Sequence, residues 1–201
     1  DQLNEAAIYI GPDGTVGIAS KDGVCALTPM ETQFSGSTLA SCQQGIYHDY
    51  KSNLHELDRL GLPQWNCRFD TALAAYLLIP SQSEYPVSKL ATNYLGISVD
   101  DGDAAGCAEA IWHLQPILKQ ELEKQGMTKL YQEIELPLCD VLYRMECLGI
   151  DIDRQQLIAF GEMLTERIDE CEKLIYSFSE GPFNINSTKQ LGELLFDKLG
   201  L

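Results

Sequence analysis

The residues best suited to chemistry lie in a few short stretches. "DDGDAAG" brings Asp100, Asp101 and Asp103 together. Closely spaced carboxylates are the ligands of hard divalent cations. A calcium loop, however, spreads its ligands over about twelve residues, and this run reads instead as a solvated acidic loop. "YHDYKSN" sets His48 beside Asp49, the remnant of a metal site or an exposed helix start. The second reading is favoured, because no acid on the first strand stands ready to join them. His55 and His113 add no metal-ligand spacing. Asp70, in "RFDTALAAY", is placed to cap a helix, where a carboxylate meets free amides and the positive end of the dipole. That role is favoured over general acid catalysis. "GPDG" at 11–14 has no Lys-Ser/Thr and no following helix, so it is a turn and not a phosphate loop. The seven cysteines, Cys25, Cys42, Cys67, Cys107, Cys139, Cys147 and Cys171, are odd in number and contain no CxxC. They argue against a zinc site or a disulfide framework and for reduced thiols in a cytoplasmic protein.

The stretch "FNINSTKQLGELLFDKLGL" supports two compatible readings. Ser187 followed by Gln190 is a capping box, each side chain serving a free amide at a helix start. Asn186, Ser187 and Lys189 are also suited to duplex phosphates, since a helix N-terminus binds anions.

Composition limits the function classes. The 201 residues, 45% hydrophobic, suffice for one ordinary core or two small ones. No window approaches the roughly 18 consecutive apolar residues of a membrane span, and no signal peptide is visible. The chain begins at Asp1, which leaves open a lost targeting segment. The formal net charge of -16 repels phosphate backbones and by itself argues for weak or no nucleic-acid binding by this chain.

The elements that must carry these residues are legible in outline. "AAIYI", "TVGIAS" and "VCALTP", separated by Pro- and Gly-containing turns, predict a three-stranded antiparallel meander. Residues 29–44 predict a loop with a short helix. Helices are expected over "DYKSNLHELDRLG", "FDTALAAYLLIP", "VSKLATNYLGI" and "CAEAIWHLQPILKQELEKQG", with Pro116 kinking or splitting the last. From about Met127 the pattern is nearly all helical. Leu130, Ile134, Leu138, Val141, Leu142, Met145 and Leu148 are expected on one inward face, and Gly149 as a left-handed stop. Asp153 is expected to cap a helix running to about Phe178, with Leu157, Leu164, Ile168, Cys171 and Ile175 inward. A boundary is placed near 126–130.

Motifs in this last third carry a resemblance. "ELPLCDVLYRMECLGIDIDRQQL" and, after a long helix, "FNINSTKQL" resemble the opening of the polymerase domain in bacterial DNA polymerase I, family A, over about residues 129–201. "FDTALAAYLLIP" resembles a helix of the 3′–5′ exonuclease domain that precedes it. The resemblance implies an α/β, RNase H-like domain over 1–128, with a mixed sheet flanked by helices. An all-helical segment of the thumb base follows over 129–201. It implies a parent enzyme that extends a DNA primer–template with dNTPs, using Mg²⁺ held outside this chain. No cofactor is expected on this part, and no membrane partner.

Active nuclease domains of that family hold two divalent metals on four acids. By the resemblance those positions fall here on Ile8 and Ile10 of the first strand, Asn53 and Cys107, with Asp103 at a neighbouring tyrosine position. Apolar, amide and thiol side chains are not hard-cation ligands, so an inactive, structural nuclease domain is expected, with no metal. In the family the 184–189 loop faces primer–template, which places Asn186, Ser187 and Lys189 against DNA. Two rivals stand beside this reading. One is a non-catalytic scaffold or binding module. The other is an active exonuclease drawing on Glu5, Asp13, Asp49, Asp103 and Glu109.

Overall fold

The computed structural model describes residues 5–34, 42–179, 181 and 183–200. Those residues form two compact units, divided between Gly149 and Ile150. The first unit thus runs on past the boundary expected near 126–130.

The first unit is built on a five-stranded sheet. Its strands are β1 (Glu5–Ile10), β2 (Val16–Ser20), β3 (Gly23–Leu27), β4 (Gln44–Tyr47) and β5 (Asn66–Asp70), in the order β3-β2-β1-β4-β5. The β1–β2–β3 meander is antiparallel, as its turn residues predicted. β4 pairs parallel to β1, and β5 parallel to β4. These two strands are absent from the sequence reading. "QGIY" and "NCRFD" are short and half polar, and a parallel pair has no hairpin turn to announce it.

Among the described residues the helices of this unit are α1 (Pro29–Phe34), α2 (Tyr50–Leu60), α3 (Thr71–Leu78), α4 (Val87–Leu90, continued by a wide turn Ala91–Leu95) and α5 (Ala104–Lys124). The sixth, α6, runs without a break through Thr128–Leu130, Tyr131–Glu135 and Leu136–Leu148. Gly61, at φ 66°, ends α2 as its composition predicts. α5 is continuous through Pro116 and is not split.

Alternation along β1 divides the core in two. Ala7 and Tyr9 face the cluster built from α3, α4 and α5, with Ile111, Leu114 and Leu118 at its centre. Ala6, Ile8 and Ile10 face the other, with Tyr50, Leu54 and Leu57 of α2. α5 lies so close to the sheet that a Cβ on Gly17 would stand 1.8 Å from the Ala104 carbonyl oxygen. Only a residue without a side chain fits there.

The inward face expected for α6 is corrected. Leu130, Ile134, Leu138, Val141, Leu142, Met145 and Leu148 are all exposed. The helix docks instead through Tyr131, Leu136, Cys139 and Tyr143. This side is aromatic and polar, and it also makes hydrogen bonds to the rest of the unit, which an aliphatic stripe cannot do.

The second unit holds α7 (Arg154–Ser177), capped by Asp153 as expected, and α8 (Thr188–Gly192 with the wide turn Glu193–Lys198). Leu157, Leu164, Ile168 and Cys171 of α7 are exposed and Ile175 is half-buried, against the expectation that they face inward. A pair of helices offers too little surface to cover a stripe that long. Among the described residues no helix is long and apolar enough to cross a membrane.

Candidate functional site

The positions implied by resemblance to a nuclease are set by β1, α2 and α5. Ile8 is 2% exposed and Ile10 packs beside it, both on the α2 side of the sheet. Asn53 lies on α2, where its amide nitrogen donates to the His48 and Asp49 carbonyls at 2.7 and 2.8 Å. Its buried carbonyl oxygen has no partner. Cys107 is fully buried in the cluster on the opposite side. The four positions are therefore not brought to one face.

The β1 residue that meets the Cys107 side is Tyr9. Its hydroxyl donates to the Asp101 carbonyl at 2.9 Å, and the Cys107 thiol donates to the Asp100 carbonyl at 3.4 Å. Burial pushes both the Tyr9 phenol and the Cys107 thiol up to about 12. Both stay neutral donors at physiological pH. From Ala7 to Ile10, whichever face of β1 is taken, Ala7 and Tyr9 or Ile8 and Ile10, there is no carboxylate. The donor set does not fit a pair of hard divalent cations.

The acids available nearby are each occupied elsewhere or apart. Glu5, the one acid on β1, pairs with Arg68. Asp13 accepts from the Thr15 amide and hydroxyl, and Asp49 from the Ser52 amide and hydroxyl. Asp100 accepts from the Gly102 amide, Asp101 from the Ser88 amide and hydroxyl, and Asp103 from the Gly106 amide as the N-cap of α5. Glu109 is exposed on α5. The acidic loop is thus a set of caps and turn locks. Among the described residues no three His, Cys, Asp or Glu side chains are grouped to hold a metal.

Asp70 does more than the single cap expected of it. Its carboxylate accepts from the amides of Asp49 and Tyr50 at the start of α2 and from those of Ala72 and Leu73 at the start of α3. Two helix N-termini converge on one buried acid. Desolvation pushes it up to about 6, against the pull of those amides. The Tyr131 hydroxyl accepts from the Asp70 amide at 2.6 Å and donates to its carbonyl at 3.2 Å. His48 bonds the Thr71 hydroxyl at 2.9 Å and is pushed down to about 4 by desolvation. It is a neutral structural residue. A cavity of about 560 Å³ opens beside these groups, lined by His48, Asp49, Tyr85, Glu135, Leu138 and Leu142 among others. His55 pairs with Glu146 at 2.7 Å, and His113 is exposed.

In the second unit the 184–190 loop is held by its own groups. The Ser187 hydroxyl accepts from the Gln190 amide at 3.4 Å. The expected return bond differs: the Gln190 side chain accepts from the Asn184 amide at 2.8 Å, reaching past Ser187. The Asn184 side chain accepts from the Asn186 amide at 2.9 Å. Asn186 and Lys189 are exposed, and Ser187 is half-buried.

The sheet order and this loop can be compared with known proteins. No protein-family model matches the chain. DNA polymerase I of Bacillus subtilis is 36% identical over 161 residues, covering 70% of this chain and 18% of the relative. DNA polymerase I of Mycobacterium tuberculosis is 30% identical over 220 aligned residues, covering 95% of the chain and 24% of the relative. The solved polymerase domain of Pol1 from M. smegmatis, in complex with DNA primer-template and dNTP, superposes with a TM-score of 0.76 at 28% identity, over 96% of this chain and 37% of that one. This chain belongs to the DNA polymerase I family.

The chain spans 18% and 24% of the length of these two relatives. Brucella melitensis NrnC is similar with a TM-score of 0.55 at 17% identity, over 76% of this chain and 91% of that one, a likeness of fold alone. It matches the RNase H-like arrangement expected from the sequence. The residues missed by sequence reasoning are Tyr9 and Tyr131. Each is one aromatic among nine tyrosines, and no spacing sets it apart.

Proposed function

We propose that this chain is the part of a family A DNA polymerase in which a catalytically silent nuclease-like domain, 1–128, leads into the first helices of the polymerase domain, 129–201. The parent would carry out template-directed DNA synthesis in the cytoplasm, with primer–template and dNTPs as partners and Mg²⁺ as its cofactor. The observation that carries the silent reading is β1. Its one acid, Glu5, is paired with Arg68, positions 7–10 hold no carboxylate on either face, and Tyr9 stands where the strand meets Cys107 of α5. Metal-assisted hydrolysis needs free carboxylates at that junction, and the acids beside it, Asp100, Asp101 and Asp103, are taken up by the Gly102 amide, by Ser88 and by the Gly106 amide. Asn186, Ser187 and Lys189 are the residues proposed to face DNA. Asn186 and Lys189 are exposed, and the loop backbone is fixed by Asn184 and Gln190.

A structural role for the nuclease-like domain is favoured by how α6 is seated. Tyr50 donates to Asp140 at 3.1 Å, Lys51 to Glu146 at 2.7 Å, and Tyr143 bonds Asp58.

The test is degradation of a 5′-labelled single-stranded DNA by the purified chain with Mg²⁺ or Mn²⁺ and an EDTA control. No metal-dependent shortening is expected at high protein concentration. EDTA-sensitive trimming from the 3′ end, lost on Asp49→Asn or Asp103→Asn, would make the domain a working nuclease.

A further inference from the structure

Among the described residues β5 is an edge strand, paired on one side, to β4. An edge leaves amides and carbonyls that must find partners. At Asp70 the partner of both is a single side chain, the Tyr131 hydroxyl, which is itself buried at 2% exposure. The Tyr131 ring packs on Phe69, with centroids 5.1 Å apart. The same Asp70 holds the first turns of α2 and α3 through its carboxylate. Further along α6, Asp140, Tyr143 and Glu146 bond Tyr50, Asp58, Lys51 and His55 of α2. Every one of these α6 contacts goes to the nuclease-like sheet or its helices.

We propose that Tyr131 and Asp70 form a latch that makes α6 open and close with the nuclease-like sheet as one cooperative unit, so that the leading helix of the polymerase domain takes its order from the silent nuclease fold. The cooperative boundary then lies at Gly149, whose φ of 65° and ψ of -167° ends α6, and not at 128/129. This deepens the structural reading above and rests on it only in naming 129–148 as polymerase sequence. The nuclease assay and the following experiment fail separately.

The experiment is native-state hydrogen exchange on the whole chain across sub-denaturing urea. Amides of 136–148 are expected to merge into the same opening isotherm as those of β4 and β5, with the amides of α7 on a separate, lower one. Tyr131→Phe leaves the Asp70 amide and carbonyl without their partner, and about tenfold faster exchange is expected in both β5 and α6, with α7 unchanged. Exchange of 136–148 on the α7 isotherm in the unmodified chain would overturn the proposal. So would a Tyr131→Phe variant in which β5 quickens and α6 does not.

Discussion

At the scale of single residues, burial decides what the titratable groups do. His48 is held neutral, its imidazole pushed from 6.5 to about 4 by desolvation. The folded state therefore binds this proton less well than the unfolded chain. The stability His48 contributes is fully present above pH 6.5 and is lost as pH falls from there towards 4. Comparing urea denaturation at pH 7 and pH 5, the unmodified chain is expected to lose about 2 kcal/mol more than His48→Gln. An equal loss in both would remove the His48 imidazole from the account. Asp70 shifts the opposite way in the same range, so the difference between the two proteins, and not either curve alone, isolates His48. Glu146 is held below the usual carboxylate range by hydrogen bonds from Lys51 and His55, but it lies in solvent, and its pairs contribute little to stability.

Among elements, the critical fit is that of α5 against β2. Gly17 stands beside the Ala104 carbonyl at the N-terminal end of the helix. Gly17→Ala must lift the start of α5 off the sheet, and with it the Asp103 cap and the Cys107 and Tyr9 contacts. A loss of about 2–3 kcal/mol is expected in denaturant midpoint measurements, with near-UV dichroism of the tyrosines altered. A neutral result would mean the helix is free to slide. α8 is held differently, by its cap. Ser187→Ala removes the one side-chain acceptor offered to the Gln190 amide. It is expected to cost about 1 kcal/mol of local helix stability, read as faster exchange at 188–192 with the first unit untouched.

For the molecule as a whole, charge governs what the chain meets. With 30 acids against 14 basic residues, the field around it disfavours phosphate backbones. Fluorescence anisotropy with a labelled primer–template in physiological salt is expected to give a Kd no tighter than about 10⁻⁴ M. Tight, salt-dependent binding, weakened by Lys189→Gln, would show that the 184–189 loop suffices.

Local chemistry was readable directly from the chain. The turns "GPDG" and "KDG" define the meander, because Gly and Asp in those places admit few other conformations. Gly61 and Gly149 stop helices, and Asp70, Asp153 and Ser187 start them, since a cap acts within one turn of its own residue. The ordered motifs of the last third carried the family, and Ile8, Ile10, Asn53 and Cys107 at the positions that the resemblance assigns to acids carried the expectation of a silent site. What only the tertiary structure decided depends on distant partners. The parallel strands β4 and β5 are defined by the neighbours they pair with. Which side of α6 is buried was decided by hydrogen bonds to α2 and β5, against its own apolar stripe. The convergence of two helix starts on Asp70, and of Tyr9 with Cys107, joins residues far apart in the chain. Periodicity reports which face of an element is apolar; the partner available in three dimensions determines which face is covered.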